Sequence, residues 1–273
     1  VPKGAQVVNA RGKFLIPGFW DMHVHLSNAG ESSLPPLIAN GITSVRDMGG
    51  QFAEIQAWRE KIAAGSLLGP RIKAAGPAME SARFLQVIKR VDQLIGKPVS
   101  QVILPTRIGA ANEDEAVQGV QSLAKMGVDF IKVRTNTSRE TYLAIAAEAK
   151  RLGLPLVGHE PMVVSALEAS DAGQKSIEHI PLLSLADLSE AERKGVFARF
   201  ARNGTWMVPT LVSAKAYRAT PDSAVQAVIK DTGGIVDKRR KYVSPALLDF
   251  WDMQIQIKKF ESPMDWAKLI QQG

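Results

Sequence analysis

The chain has 273 residues, about the length of one (β/α) barrel or of two small α/β domains. With 45% hydrophobic and 22% charged residues it has ordinary globular composition, which excludes a disordered chain. No run of about 18 apolar residues exists to span a membrane. There is no cysteine, so disulfides, thiolate metal ligands and thiol nucleophiles are excluded together, and either a reducing or an oxidising compartment is compatible. The chain therefore reads as soluble, cytoplasmic or exported, and Val1 opens without the basic and apolar segments of a signal peptide. The net charge of +7 comes from basic residues scattered along the chain. Their densest stretch, Asp237–Lys241, contains an acid and has only Tyr242 beside it to stack on a base. Nucleic acid and membrane are therefore not expected partners, and the charge is read as attraction for small anionic substrates.

In chain order, Val1–Ile16 reads as two short strands around a turn at Ala10–Gly12, followed by a strand at Gly18–Leu26. Further strands are expected at Thr43–Met48, after the Asn40-Gly41 turn, and at Arg71–Ala75, between two Gly-Pro pairs. Glu113–Lys125 reads as a helix with Asn112 as N-cap and Gly127 beyond its end, leading into a strand at Val128–Arg134. A helix over Arg139–Leu152, capped by Ser138, leads to strands at Leu154–His159, Lys175–Ile180 and Thr205–Thr210. Strands alternating with helices argue for a parallel sheet, here with seven strands. From Ser213 to Gln272 the pattern is helical with breaks, and no eighth strand follows Trp266–Gln271.

All four histidines, His23, His25, His159 and His179, stand at the C-terminal ends of expected strands. The period-2 alternation of a strand points His23 and His25 to one face and Val24 to the other. A lone histidine is ordinarily a packed residue with no ligand, but imidazoles gathered at one barrel mouth need something to bind, and a divalent metal is the usual answer. In Val128–Arg134, alternation places Phe130, Lys132 and Arg134 on the inner face, with Ile131 and Val133 packed against helices. An inward Lys132 among apolar neighbours would have a lowered pKa and a nucleophilic amine, able to form a carbamate with CO2. The alternative is a strand-end lysine that snorkels to water.

The order H-x-H, Lys, His, His at successive strand ends resembles the metal-dependent amidohydrolase superfamily. Pro17–His25 (PGFWDMHVH), Asn40–Asp47 (NGITSVRD), Val128–Val133, Gly158–Glu160 and Ile177–Pro181 are similar to its imidazolonepropionase-like and Xaa-Pro dipeptidase (prolidase)-like branch, over about Val7 to Leu211. The resemblance implies a (β/α)8 TIM-type barrel at residues 17–273, with 1–16 a remnant of a small β-sandwich. It also implies two divalent metal ions, with zinc the first choice. His23 and His25 would hold one ion and His159 and His179 the other, with carboxylated Lys132 between them, and a metal-bridging hydroxide would attack an amide of a small-molecule or dipeptide substrate. A cyclic amide, a lactone or a phosphotriester is the alternative on the same site.

The family also uses an Asp after the eighth strand, and no strand-plus-Asp motif follows Thr210 here: Asp231 lacks an apolar run before it, and Asp249, Asp252 and Asp265 sit in helical patterns. A barrel lacking its eighth strand is the expectation, from a fragment of a longer enzyme or a non-catalytic fragment, with open edges that favour pairing as a homo-oligomer. Arg134 is read as a clamp for a substrate carboxylate or as one half of a structural ion pair. Glu160 is read as a helix cap or a partner of the site. Tyr217 with Ser223–Phe260 forms either a lid or plain packing.

Overall fold

In the computed structural model, residues 1–95, 98–179, 185, 187–213 and 221–261 are described. Local signals set the helix ends as expected. The Asn112 side chain accepts from the Glu115 N–H to start helix Glu113–Met126, and Gly127, at φ 82°, ends it. Ser138 caps helix Arg139–Arg151 in the same way.

The strands are β1 (Phe19–Val24), β2 (Ile42–Asp47), β3 (Arg71–Ala74), β4 (Ala78–Ser81), β5 (Arg107–Ala110), β6 (Ile131–Val133), β7 (Leu156–His159), β8 (Gln174–Glu178) and β9 (Trp206–Val208). Every pairing is parallel, in two sheets ordered β1-β2-β3 and β5-β4-β6-β7-β8-β9. The break between them lies within one stretch of chain, where Ala75–Pro77 separates β3 from β4. It is bridged by backbone hydrogen bonds from Ala75 to Asp47 and from Asp129 to Ala74. The architecture is an incomplete barrel: among the described residues nothing pairs with the outer edges of β1 and β9.

All seven expected strands form, and β4 and β5 are additional. Both are only four residues long, and β5 carries a glycine and one β-branched residue, so neither has a strand signature. The two strands expected within Val1–Ile16 do not form. The turn does, with the Lys13 N–H donating to the Ala10 carbonyl at 2.9 Å, but the flanking residues are exposed and have no neighbour to take up a ladder. Ile180, Tyr217 and Trp266–Gln271 lie outside the described residues. Helix Pro245–Glu261 packs Met253 against Val87, Val91 and Val99, so this part of the helical stretch is packing. No helix among the described residues is long and apolar enough to cross a membrane.

The core has two layers. Ile131 and Val133 face outward and pack with Val120, Leu123, Tyr142 and Ile145 of the flanking helices. Phe130 faces inward and meets Met48, Ala75 and Val157. The alternation read for this strand therefore holds on both faces.

Asp129 fastens β6 to β3. Its carboxylate accepts from the Ala74 N–H at 2.9 Å and from Lys73 Nζ at 2.7 Å, and it pairs with Arg59. Burial pushes this carboxyl up, and the Lys73, Ala74 and Arg59 hydrogen bonds outweigh it, leaving the pKa below its ordinary value. A lowered folded pKa adds stability above the ordinary aspartate range, and that stability is lost as pH falls through the folded value. Asp129→Asn should therefore cost about 1–3 kcal/mol at neutral pH in urea unfolding. The gap from the parent should narrow as pH drops below about 4.

Candidate metal centre

The four imidazoles come together at one end of the strands. Ring centroids lie 5.3 Å apart for His23 and His25, 4.7 Å for His23 and His179, and 4.8 Å for His159 and His179, so the rings form a chain across the mouth. His25 Nδ1 lies 2.9 Å from the Gly49 carbonyl, and His23 Nδ1 lies 2.8 Å from Glu178 Oε2. A carbonyl and a carboxylate only accept, so both rings carry their proton on Nδ1 and keep a lone pair on Nε2. His179 Nδ1 meets the Thr210 hydroxyl at 2.8 Å.

His179 reaches this place against the pleat of its own strand. In β8, Gln174, Ser176 and Glu178 share the inner face, so the next residue would point outward. His179 instead adopts φ 71°, and its partner Thr210 has φ 48°; among the described residues these are the non-glycine positions with left-handed backbone. Such conformations persist where the surroundings over-determine them, and here the two strained residues hold each other. His159 follows Gly158, whose φ is 147° and where a Cβ would stand 2.1 Å from the Val133 carbonyl. Only glycine lets β7 lie this close to β6, the strand of Lys132. Gln174 adds a further hold, donating to the His159 and Gly158 carbonyls and accepting from the Tyr142 hydroxyl.

Lys132 is 1% exposed, and its Nζ has no hydrogen-bond partner. This removes the snorkelling alternative. Burial chiefly lowers its pKa, to about 7; Glu178 opposes the shift, and Arg134, Arg46 and Arg107 add to it. Burial likewise lowers His25 to about 3 and His179 to about 4, and holds His23 and His159 below their ordinary values. Burial thus works against the charged form of every imidazole and of the amine between them. Among the described residues no three His, Asp or Glu side chains close into a single metal cage. A centre built from two imidazoles per ion with a lysine-derived bridge would not contain one.

Glu178 is the residue that the sequence reading missed. It is buried, and besides His23 it accepts from Arg46 Nη2 at 2.6 Å and from the Ser176 hydroxyl at 2.6 Å. Its signal was available: it shares the inner face of its strand with Ser176 and directly precedes His179. Arg134 lies against a carboxylate of the chain itself, with Nε 3.3 Å from Glu80 Oε2, and its side chain keeps 29% exposure. The helix after His159 is capped by Ser165, not by Glu160. Asp231 accepts from the backbone N–H groups of Ile235, Val236 and Asp237, which makes it a loop staple. Asp265 lies outside the described residues.

Residues 14–221, most of the chain, match the model of the amidohydrolase family. The chain belongs to that family. This agrees with the resemblance carried by its motifs. Among solved structures, a bottromycin amidohydrolase shares the fold at 24% identity and TM-score 0.56, covering 87% of this chain and 52% of its own. The ochratoxinase of A. niger does so at 20% identity and TM-score 0.54, over 86% of this amidohydrolase chain and 58% of its own. A prolidase complexed with N-methylphosphonate-L-proline does so at 20% identity and TM-score 0.56, over 93% and 63%. The chain thus spans between about half and two thirds of the length of these relatives. No curated protein matches the sequence.

Glu178→Ala should lower stability by about 3–5 kcal/mol in denaturant unfolding, because it leaves the Arg46 guanidinium buried without its carboxylate. Adding Arg46→Met should recover part of that loss, since the uncompensated charge goes with it.

Proposed function

We propose that this amidohydrolase chain is the barrel of an enzyme that hydrolyses the amide bond of a small peptide-like substrate, an Xaa-Pro or related dipeptide, at a centre of two divalent ions. The barrel comprises residues 17–273, with 1–16 the remnant of a small β-sandwich. The observation that carries this reading is the convergence of four neutral imidazoles around a buried amine with no hydrogen-bond partner. His23 and His25 would hold one ion, His159 and His179 the other, and a carbamate on Lys132 would bridge them. Imidazole nitrogen with carbamate oxygen suits zinc first, and manganese, cobalt or iron as well.

The carbamate forms when the neutral Lys132 amine adds to CO2, making an N–C bond and releasing one proton. Its two oxygens would bring negative charge to a place where Arg46, Arg107 and Arg134 outnumber Glu178, and a lowered amine pKa makes the neutral form available. The bound ions would supply Lewis-acid activation of water and of the amide carbonyl. The chain's own residues do the positioning. Glu178 and the Gly49 carbonyl accept hydrogen bonds from the Nδ1–H groups of His23 and His25, and Thr210 steadies His179. Such outer hydrogen bonds fix the tautomer and the aim of a ligating ring. The prolidase-like motifs and the fold shared with a proline-analogue-bound prolidase support the choice of substrate class.

Protein purified without added metal should carry about two metal ions per chain by mass spectrometry. Lys132→Ala should lose most of that metal and regain it on addition of short carboxylates. A metal-free parent, or a Lys132→Ala variant with unchanged metal, would overturn the two-ion reading.

A further inference from the structure

Beside the imidazoles lies a second polar cluster, built on the two strands that flank β4. Glu80 stands on β4, Arg107 opens β5 on one side, and Arg134 follows β6 on the other. One carboxylate oxygen of Glu80 is taken by the N–H and hydroxyl of Thr135. The other lies 3.3 Å from Arg134 Nε and 3.7 Å from Arg107 Nε without forming a hydrogen bond to either. Arg107 is anchored through Nη1 to the Thr106 carbonyl and hydroxyl, at 2.8 and 2.7 Å. Two guanidiniums therefore share one carboxylate, which leaves a local surplus of one positive charge in a setting where burial weakens screening. Asn136, two residues past Arg134, is 8% exposed, and neither of its amide atoms is hydrogen-bonded.

The cluster is within reach of the imidazoles. Arg107 Nη1 and His25 Cε1 lie 3.8 and 3.9 Å from the point where a Cβ on Gly49 would stand. Arg134 is two residues from Lys132, and its side chain keeps 29% exposure. An α-carboxylate lies a few bonds from the amide carbonyl of an acylated amino acid, a span that fits this separation. The guanidinium fork matches a carboxylate in two parallel hydrogen bonds, which a lysine ammonium does not.

The geometry points to Arg107 and Arg134, held in place by Glu80, as the subsite that binds the free α-carboxylate of an N-acyl amino acid or dipeptide. This inference rests on the amide-hydrolase reading and deepens it, because it separates substrates with a free carboxyl terminus from amides, esters and internal peptide bonds. Glu80 is a positioning residue here. It keeps the two guanidiniums from repelling each other out of the site.

The test is calorimetric titration of the whole chain with N-acetyl-L-proline and with its C-terminal amide, with bound metal counted in the same samples. The parent should bind the acid about 10–100-fold more tightly than the amide. Arg134→Gln and Arg107→Gln should each bring the acid down towards the amide while leaving amide affinity unchanged. Arg134→Lys should keep part of the preference. It serves as the control if a glutamine variant shows a lost circular dichroism spectrum. Equal affinities in the parent, no binding of either compound, or a preference that survives both glutamine variants would overturn the subsite. A preference that follows the arginines in a metal-free chain would support the subsite and overturn only the two-ion reading.

Discussion

The site depends on one buried carboxylate. Glu178 reaches across the barrel interior from β8 to Arg46 on β2 and His23 on β1, joining strands that share no ladder. Without a strand between β9 and β1, backbone hydrogen bonds do not close the ring among the described residues, and this interior network ties its two sides together. A buried ion pair is a poor source of net stability, because desolvation offsets much of the attraction. Its value here is geometric: the same carboxylate neutralises Arg46, fixes the tautomer of His23 and offsets part of the pKa lowering that burial imposes on Lys132.

Around that network the backbone is bent to bring the imidazoles to the mouth. Glycine at 158 lets two strands touch, and left-handed backbone at His179 turns an outward position inward. Strain of this kind persists at a site because neighbouring contacts hold it, here the Thr210 hydroxyl and the hydrogen bond from the His179 N–H to the Val208 carbonyl. In the proposed reading the side chains that would do the chemistry are buried, and the charged Arg107 and Arg134 stand where they would meet the substrate's end. This division suits an amide hydrolase. The reacting centre needs lone pairs, and recognition needs fixed charge.

Much of this was legible in residue order because it is local. An Asn three residues before a Glu caps a helix whatever surrounds it, and alternation over Phe130–Val133 assigns inner and outer faces from the pleat alone. The histidine positions and the strand ends that carry them follow from the same arithmetic. Residues 1–16 show the limit: their pattern is a strand pattern, but a strand also needs a neighbour. The short β4 and β5 are the converse, strands made by their neighbours with almost no pattern of their own.

Sequence alone determined the parallel α/β character, the seven main strands and the caps at Asn112 and Ser138, since each rests on contacts within a few positions along the chain. The barrel and the five residues proposed as ligands came from the family resemblance of its motifs. Tertiary structure decided the pairing of His23 with Glu178, 155 positions apart, and of Arg46 with Glu178, 132 apart. It also decided that His179 turns inward, that Arg134 shares Glu80 with Arg107, and that Lys132 is sealed from water. Each of these is a matter of which distant groups exclude solvent around a given atom. Burial and electrostatics belong to that assembled environment, not to the identity of any one residue or to its spacing from the next.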